Sequence, residues 1–407
     1  MDYLLDKYFF DYLPFGIDQE TKKTVTSKAF DVADWACKTQ DIRKLAANHT
    51  SFLAAEAVFL LLYIFTLLHA FRHGSRYLFT WLGIAVAAVT IESLRFIKPK
   101  WDVVWHAQGT VTYLGMRVPF YLFGVYQFAF YVAYVFARRL YFQWWAEGPA
   151  AGLIAVILLY PLNLFGAKLL WFQWHESDVA VIDRWMWVPW TSLLFIALVS
   201  CSFLSILHFF RRLALSEEYD WKLFMREGFC AFAAGILSVF IAAGHFLSFY
   251  FCSDFLIIRS VIDKILFWFD ELFCGLAINY LFFMVLPFVT DPEAIVAEGL
   301  HQPIFLCNVT EHYNSIFGTD INRRKYLCPY NRDETCFDFH CLPGGHPSIN
   351  ENSDPLEWYL ICGKDYSNRW EYMLLIWSFS LLSFGALYQI ASKSGPSPLD
   401  IVKVQIS

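Results

Sequence analysis

Eight stretches of this 407-residue chain run for about 19 to 26 residues with almost no charge, which limits it to folds that a bilayer would accept. Residues 50–71 carry only Glu56, and 118–137, 149–167, 185–210, 228–253 and 372–392 carry no charged residue. Two more are interrupted, 77–97 by Glu92 and Arg95 and 265–290 by Asp270 and Glu271. About 20 apolar residues rising 1.5 Å each cross a hydrocarbon core of roughly 30 Å. A helix does this economically because every backbone group pairs inside its own segment. The expectation is an all-α, polytopic transmembrane bundle of about eight spans. Ring residues agree: among 42 Phe, 22 Tyr and 16 Trp, several Trp cluster where helices should leave the bilayer, as in interfacial belts.

Organisation follows from the same pattern. Residues 1–49 are a polar, amphipathic segment, 50–290 a seven-span bundle, 291–370 a Cys-rich extramembrane insert, 371–392 the final span and 393–407 a tail. No strongly basic run points to nucleic acid, and residues 1–30 lack the layout of a cleaved signal peptide. The insert holds Cys307, Cys328, Cys336, Cys341 and Cys362 with the sequon Asn308-Val309-Thr310. Oxidised, it is a disulfide-stapled, glycosylated lobe outside the cytosol, with one thiol of the five left over. Reduced, Cys328, Cys336, His340, Cys341 and His346 offer zinc ligands, in a spacing that fits no standard finger. The metal and any cofactor stay unassigned.

Eight alternating spans put both termini at one end of the bundle, here the near end, and the insert at the far end. Short far-end loops then carry Arg72, Arg76, Arg138, Arg139, Arg211, Arg212, Lys222 and Arg226. Paired arginines argue for a cytosolic far end, whereas the sequon and cysteines argue for a lumenal one. The second sequon, at Asn48, falls almost inside the first span.

The same parity gathers polar groups at the near end. Ionisable groups at membrane depth are costly and default to function. Glu92, His106, His175, Asp178 and His245 are the catalytic candidates, since imidazoles beside carboxylates supply general acid and base or metal ligands. Arg95, Gln108, Arg117, Glu176, Arg184, Trp174 and Trp190 are the substrate-binding candidates. Asp270 and Glu271 are expected at this end, and His69 and His73 at the far end as headgroup contacts. No HExxH, His-box, GxSxG or phosphate-loop motif stands in an interpretable position.

The run Glu92-Ser-Leu-Arg95, His106-Ala-Gln108 and Arg117-Val-Pro119, then Trp171-Phe-Gln-Trp174-His175-Glu-Ser-Asp178 and Arg184…Val188-Pro189-Trp190, resembles a family of animal multi-span proteins defined as a domain of unknown function. Its Trp-rich turn and Val-Pro-Trp helix entry are similar to the membrane carotenoid-hydratase family. That similarity implies an acid-assisted reaction on a polyisoprenoid or other lipid, with Glu92 as the acid. The expected function is therefore binding or modification of a membrane lipid or isoprenoid at the near end, in the secretory pathway or plasma membrane. The competing classes are a transporter or channel, which a polar path through the bundle would mark, and a receptor-like or structural partner, which a filled bundle would mark.

Overall fold

The computed structural model describes residues 19–98, 102–140, 142–185, 187–215, 221–249, 271–314, 320–328, 336–347 and 354–392. After an amphipathic helix α1 (Gln19–Ala36) and a short α2 (Ile42–Asn48) come the long helices. These are α3 (Thr50–Arg72), α4 (Ser75–Ile97), α5 (Tyr121–Arg139), α6 (Trp144–Lys168), α8 (Trp190–Ala214), α9 (Phe224–Phe249), α10 (Glu271–Val289) and α11 (Arg369–Ser392). The short α7 (Val179–Ile182) precedes α8. All of the long ones except α5 are apolar and long enough to cross a membrane. Helix α5 carries Tyr121, Tyr126, Gln127, Tyr131 and Tyr134 and two terminal arginines, so its mean hydropathy is low. It is nonetheless the centre of the bundle, with fifteen of its nineteen residues buried. Its aromatic rings pack against neighbouring helices, where the Tyr126, Tyr131 and Tyr134 hydroxyls find partners, and the Tyr121 hydroxyl meets His106.

Small sheets accompany the helices, a departure from the all-α expectation. Strands β1 (Cys37–Thr39), β3 (Val111–Tyr113) and β4 (Val118–Pro119) form one sheet beside α1. β2 (Val104–His106) pairs antiparallel with β5 (Phe172–Trp174), and β6 (Arg184–Trp185) with β7 (Val188–Pro189). The insert is a β lobe: β8 (Val296–Ile304), β12 (Leu356–Gly363) and β11 (Phe337–Asp338) make one antiparallel sheet, and β9 (Thr310–Asn314) and β10 (Asp320–Arg324) a hairpin. Disulfides Cys307–Cys328 and Cys341–Cys362 staple it, and Cys336 is the leftover thiol, buried. Asn308 is exposed in the turn after Cys307.

The lobe sits at the near end, opposite to where parity put it. The alternation fails at α10. Its first residue, Glu271, pairs with Arg72 at the last turn of α3, and Phe273 packs on Tyr388 near the end of α11, so α10 starts at the far end. Helix α9 starts there too, because Arg211 of α8 and Arg76 of α4 both reach Glu227. The two helices run in the same direction, and residues 250–270, outside the described ones, connect them. Glu271 is therefore remote from the near-end polar groups, and Asp270 lies outside the described residues.

Helices α4 and α9 cross at glycines. A Cβ on Gly83 would lie 2.8 Å from the Ala231 carbonyl oxygen, and one on Gly235 would lie 2.5 Å from the Gly83 oxygen. Replacing Gly83 by Val should cost about 1–3 kcal/mol by overpacking this crossing. Gly385→Ala, where a Cβ meets nothing within 4 Å, should leave thermal unfolding in detergent unchanged or slightly raised.

Candidate functional site

The near end is built on one guanidinium. Arg95, in the last turn of α4, donates to both Glu92 oxygens at 3.1 and 3.2 Å and to Asp102 Oδ1 at 2.7 and 2.9 Å. It also donates to the Val104 carbonyl and reaches His106 Nε2 at 3.4 Å. Tyr126 donates its hydroxyl to Glu92 Oε1 at 2.7 Å, and the Tyr121 hydroxyl stands 3.3 Å from His106 Nδ1. Because arginine only donates, His106 accepts through Nε2, which leaves Nδ1–H to donate to Tyr121. Burial, with Arg95 second, holds His106 well below the usual imidazole range, consistent with that neutral ring. Nearby, both oxygens of Glu56 accept the Thr110 backbone N–H at 3.0 and 3.1 Å. The approach is close enough that a Cβ on Gly109 would lie 2.2 Å from Glu56 Oε1.

The second predicted cluster faces the other way. Side chains alternate along a strand, so Val104 and His106 share one face of the β2–β5 ribbon while Trp105 shares the other with Gln173 and the following His175. Ring contacts agree: His106 lies 5.8 Å from Phe172, whereas His175 lies 5.5 Å from Trp105. His106 and His175 are thus on opposite faces of the ribbon. His175 is buried, and its Nδ1 accepts from the Ser177 N–H at 3.2 Å. Burial first, then Arg323, depresses it to about 4, against the opposing pull of Asp178.

Asp178 and Glu176 hold the lobe. Asp178 Oδ2 takes Arg323 Nη1 at 2.6 Å, both side chains nearly inaccessible, while its Oδ1 caps α7 through the Ala180 N–H at 2.8 Å. Glu176 accepts from the Cys328 N–H at 3.3 Å, and its own N–H donates to Gln302 Oε1 at 2.9 Å. Strand β8 lies along β2: Gln108 N–H donates to the Glu298 carbonyl at 2.9 Å, and Ala107 bridges Gly299. At the rim, Lys44 meets Glu298 at 2.6 Å.

The remaining candidates are spread around this seam. Arg184 donates to the Val181 and His175 carbonyls and lies 5.8 Å above Trp174. Arg117 lies over Phe96, apart from the Arg95 network. Trp190 is exposed and stacked on Trp185. His245 lies in α9 with its side chain outside the described residues. Gln108 Nε2 is buried without a hydrogen-bond partner beside a cleft lined by Gln40, Lys44, Asn48, His49 and Glu298, with room for about one water. In the lobe, Asp338 and His340 converge on Cys362 Sγ, which its disulfide already uses.

The sequence reading missed Asp102, Tyr121, Tyr126 and Arg323, which complete the two networks. It also missed a far-end network: Arg138 meets Glu147 at 3.1 Å, His208 meets Glu147 at 2.7 Å, and Arg211 meets Glu227 at 2.5 Å. Each arginine closes one helix and each glutamate opens the first turn of another, a pairing visible in the sequence and favoured by the helix dipoles. His69, expected among headgroups, is buried and 2.8 Å from the Tyr131 hydroxyl; only His73 is exposed.

The chain belongs to the family defined by a domain of unknown function, DUF7802, matched over residues 1–267 and 259–392. It matches no curated protein and no solved structure.

Removing one member of a buried ion pair leaves the other charge uncompensated, at a cost of about 3–5 kcal/mol. Arg323→Met should therefore detach the lobe and make it sensitive to protease in detergent-solubilised protein. Adding Asp178→Asn to that variant should recover part of the loss, and a double variant no better than the single one would show that the pair does not seat the lobe.

Proposed function

We propose that this is a multi-pass integral membrane protein whose long helices cross the bilayer and which presents its disulfide lobe on the extracytosolic side as a receptor-like or structural element. The observation that carries this reading is the separation of signals along the bundle axis. Both disulfides and the exposed Asn308 lie at the near end, while the paired arginines of the short loops lie at the far end. The conflict in the sequence between those two signals arose from the expected direction of α10 and is absent from the observed fold. Oxidised cysteines belong to the secretory pathway or cell surface, and arginine-rich short loops to the cytosol.

The near-end polar groups support this reading over catalysis. Both Glu92 oxygens are occupied as acceptors by Arg95 and Tyr126, so the acid that the hydratase resemblance implies is directed at protein groups. Asp178 and Glu176 are engaged by the lobe. These residues set the position of the head on the membrane bundle.

One observation favours a lipid-binding second reading. The unpartnered Gln108 amide and the Lys44 ammonium border the same cleft, where a lipid phosphate or carbonyl oxygen would find two donors. Mass spectrometry of co-purified lipids should then show a species that Gln108→Ala loses. An unchanged lipid profile would leave the recognition reading alone.

Orientation has a direct test. Protein expressed in a eukaryotic cell should lose one glycan's mass on glycosidase treatment, and Asn308→Gln should abolish that shift. In sealed vesicles from the same cells, a lobe cut by protease from the cytosolic side would reverse the proposal.

A further inference from the structure

We propose that the seating of the lobe on the bundle is an acid-sensitive latch, released when His301 of strand β8 takes up a proton. His301 is 2% exposed, and both its ring nitrogens are buried without a hydrogen-bond partner. Its strand is the one that lies along β2. Extending the Ala107–Gly299 bridge by two residues on each strand sets position 301 across from Trp105, on which His175 packs. The latch therefore has one histidine on the lobe and one on the bundle, with an indole at the register between them.

The groups around each ring decide the sign. The Tyr359 ring of β12 lies 5.3 Å from the His301 ring. Glu298 of the same strand is bound to Lys44 at the rim, and Glu357 of β12 is exposed, so neither compensates an imidazolium. His175 has Asp178 nearby, but that carboxylate is taken by Arg323, and Arg323 and Arg184 both oppose a charge on the ring. On the other ribbon face His106 meets Arg95, itself bound to Glu92 and Asp102, with Tyr121 on its second nitrogen. None of these sites welcomes a positive ring while the lobe is seated.

Burial alone depresses His301 from 6.5 to about 3. An undocked lobe returns it to water, so below 6.5 the undocked form binds the proton and the docked form does not. Docking is at full strength above about pH 7.5 and weakens as pH falls toward 3. At pH 5 the linkage amounts to roughly a 30-fold shift of the docking equilibrium from this one histidine. The lobe has no covalent tie to the bundle beyond its two chain connections, so it can lift as a unit. A head that releases in an acidified compartment would present β8 and Trp105 there and hide them at neutral pH.

Cys336 reports the state of the latch. It is a buried free thiol close enough to Lys168 and Arg184 of the bundle to feel their charges. The test labels full-length protein in lipid nanodiscs with an aromatic disulfide reagent at pH 7.5 and 5.0. Peptide mass spectrometry then reads the rate at Cys336 relative to exposed Cys37, which corrects for thiol chemistry. The expected result is a ratio at least ten-fold higher at pH 5.0, reversed on return to neutral pH. In a His175→Gln background, which removes the second ring that the seated lobe holds neutral, His301→Phe and His301→Gln, neither of which titrates, should keep the ratio within two-fold of its neutral value, so one folded variant suffices. His340→Gln, at an exposed lobe histidine, should retain the rise. A ratio that does not change with pH in the wild-type or His175→Gln protein, a rise that persists in a folded variant changed at both His175 and His301, or one lost in His340→Gln overturns the latch.

Discussion

Arg95 is the residue from which the near end is assembled. A guanidinium offers five donors in a fixed fork, and here that fork spans three pieces of chain: α4 through Glu92, the following loop through Asp102, and β2 through the Val104 carbonyl and His106. Fixing β2 in this way orients the ribbon that it forms with β5, and the ribbon receives β8. The seat of the lobe thus depends on a charge in the last turn of a membrane-length helix. Lysine could not replace it, since an ammonium has only three donors on one atom, whereas five acceptor atoms surround this fork. The cost of burying an arginine is met by two carboxylates and by the hydrogen bond Tyr126 makes to one of them.

The same economy organises the far end. Among the described residues the strongly buried carboxylates there, Glu147 and Glu227, meet cations from other helices: Arg138 and Arg211 each tie the end of one helix to the start of another, and Arg76 joins the start of α4 to the start of α9. Apolar packing between helices in lipid carries little directional information, because lipid tails are as apolar as leucine. Polar groups that are costly alone supply that direction. The two networks fix the relative heights of five helices, and α5, with its tyrosines at both levels, is the post through which they are aligned.

Length and apolarity made all eight long helices legible in the sequence, α5 among them as the run 118–137, and the cysteine content made the stapled lobe legible, down to the odd thiol. What the sequence concealed was direction. A run such as 265–290 states that a helix is present but carries no mark of which end it enters, and the assumption of strict alternation placed Glu271 and the whole lobe at the wrong ends. The candidate site was legible in part for a related reason. Glu92 and Arg95 sit three apart on one helix, so their pairing follows from local geometry. Asp178 and Arg323 are 145 residues apart, and only the docked lobe brings them together. His106 and His175 were read as one cluster because both lie near one helix end; the two-residue period of a strand, which turns them to opposite faces, is invisible until the ribbon is known.

The lobe and the bundle are each incomplete alone. The β2–β5 ribbon is three residues long and, without β8, would leave the free edge of β2 open. The lobe, for its part, buries Arg323 against a carboxylate it does not own, and two disulfides restrict its unfolded chain without supplying a partner for that group. Lys168, at the end of α6, donates to the Asp365 carbonyl at 2.9 Å, and Thr290 meets Tyr366 at 3.3 Å, so the lobe is gripped at its base as well as along β8. A head held by many polar contacts, each modest in water and strong when dry, is firm while the seam excludes solvent and weak once any part of it opens. That nonlinearity is what allows a small chemical change at the seam to move a whole lobe.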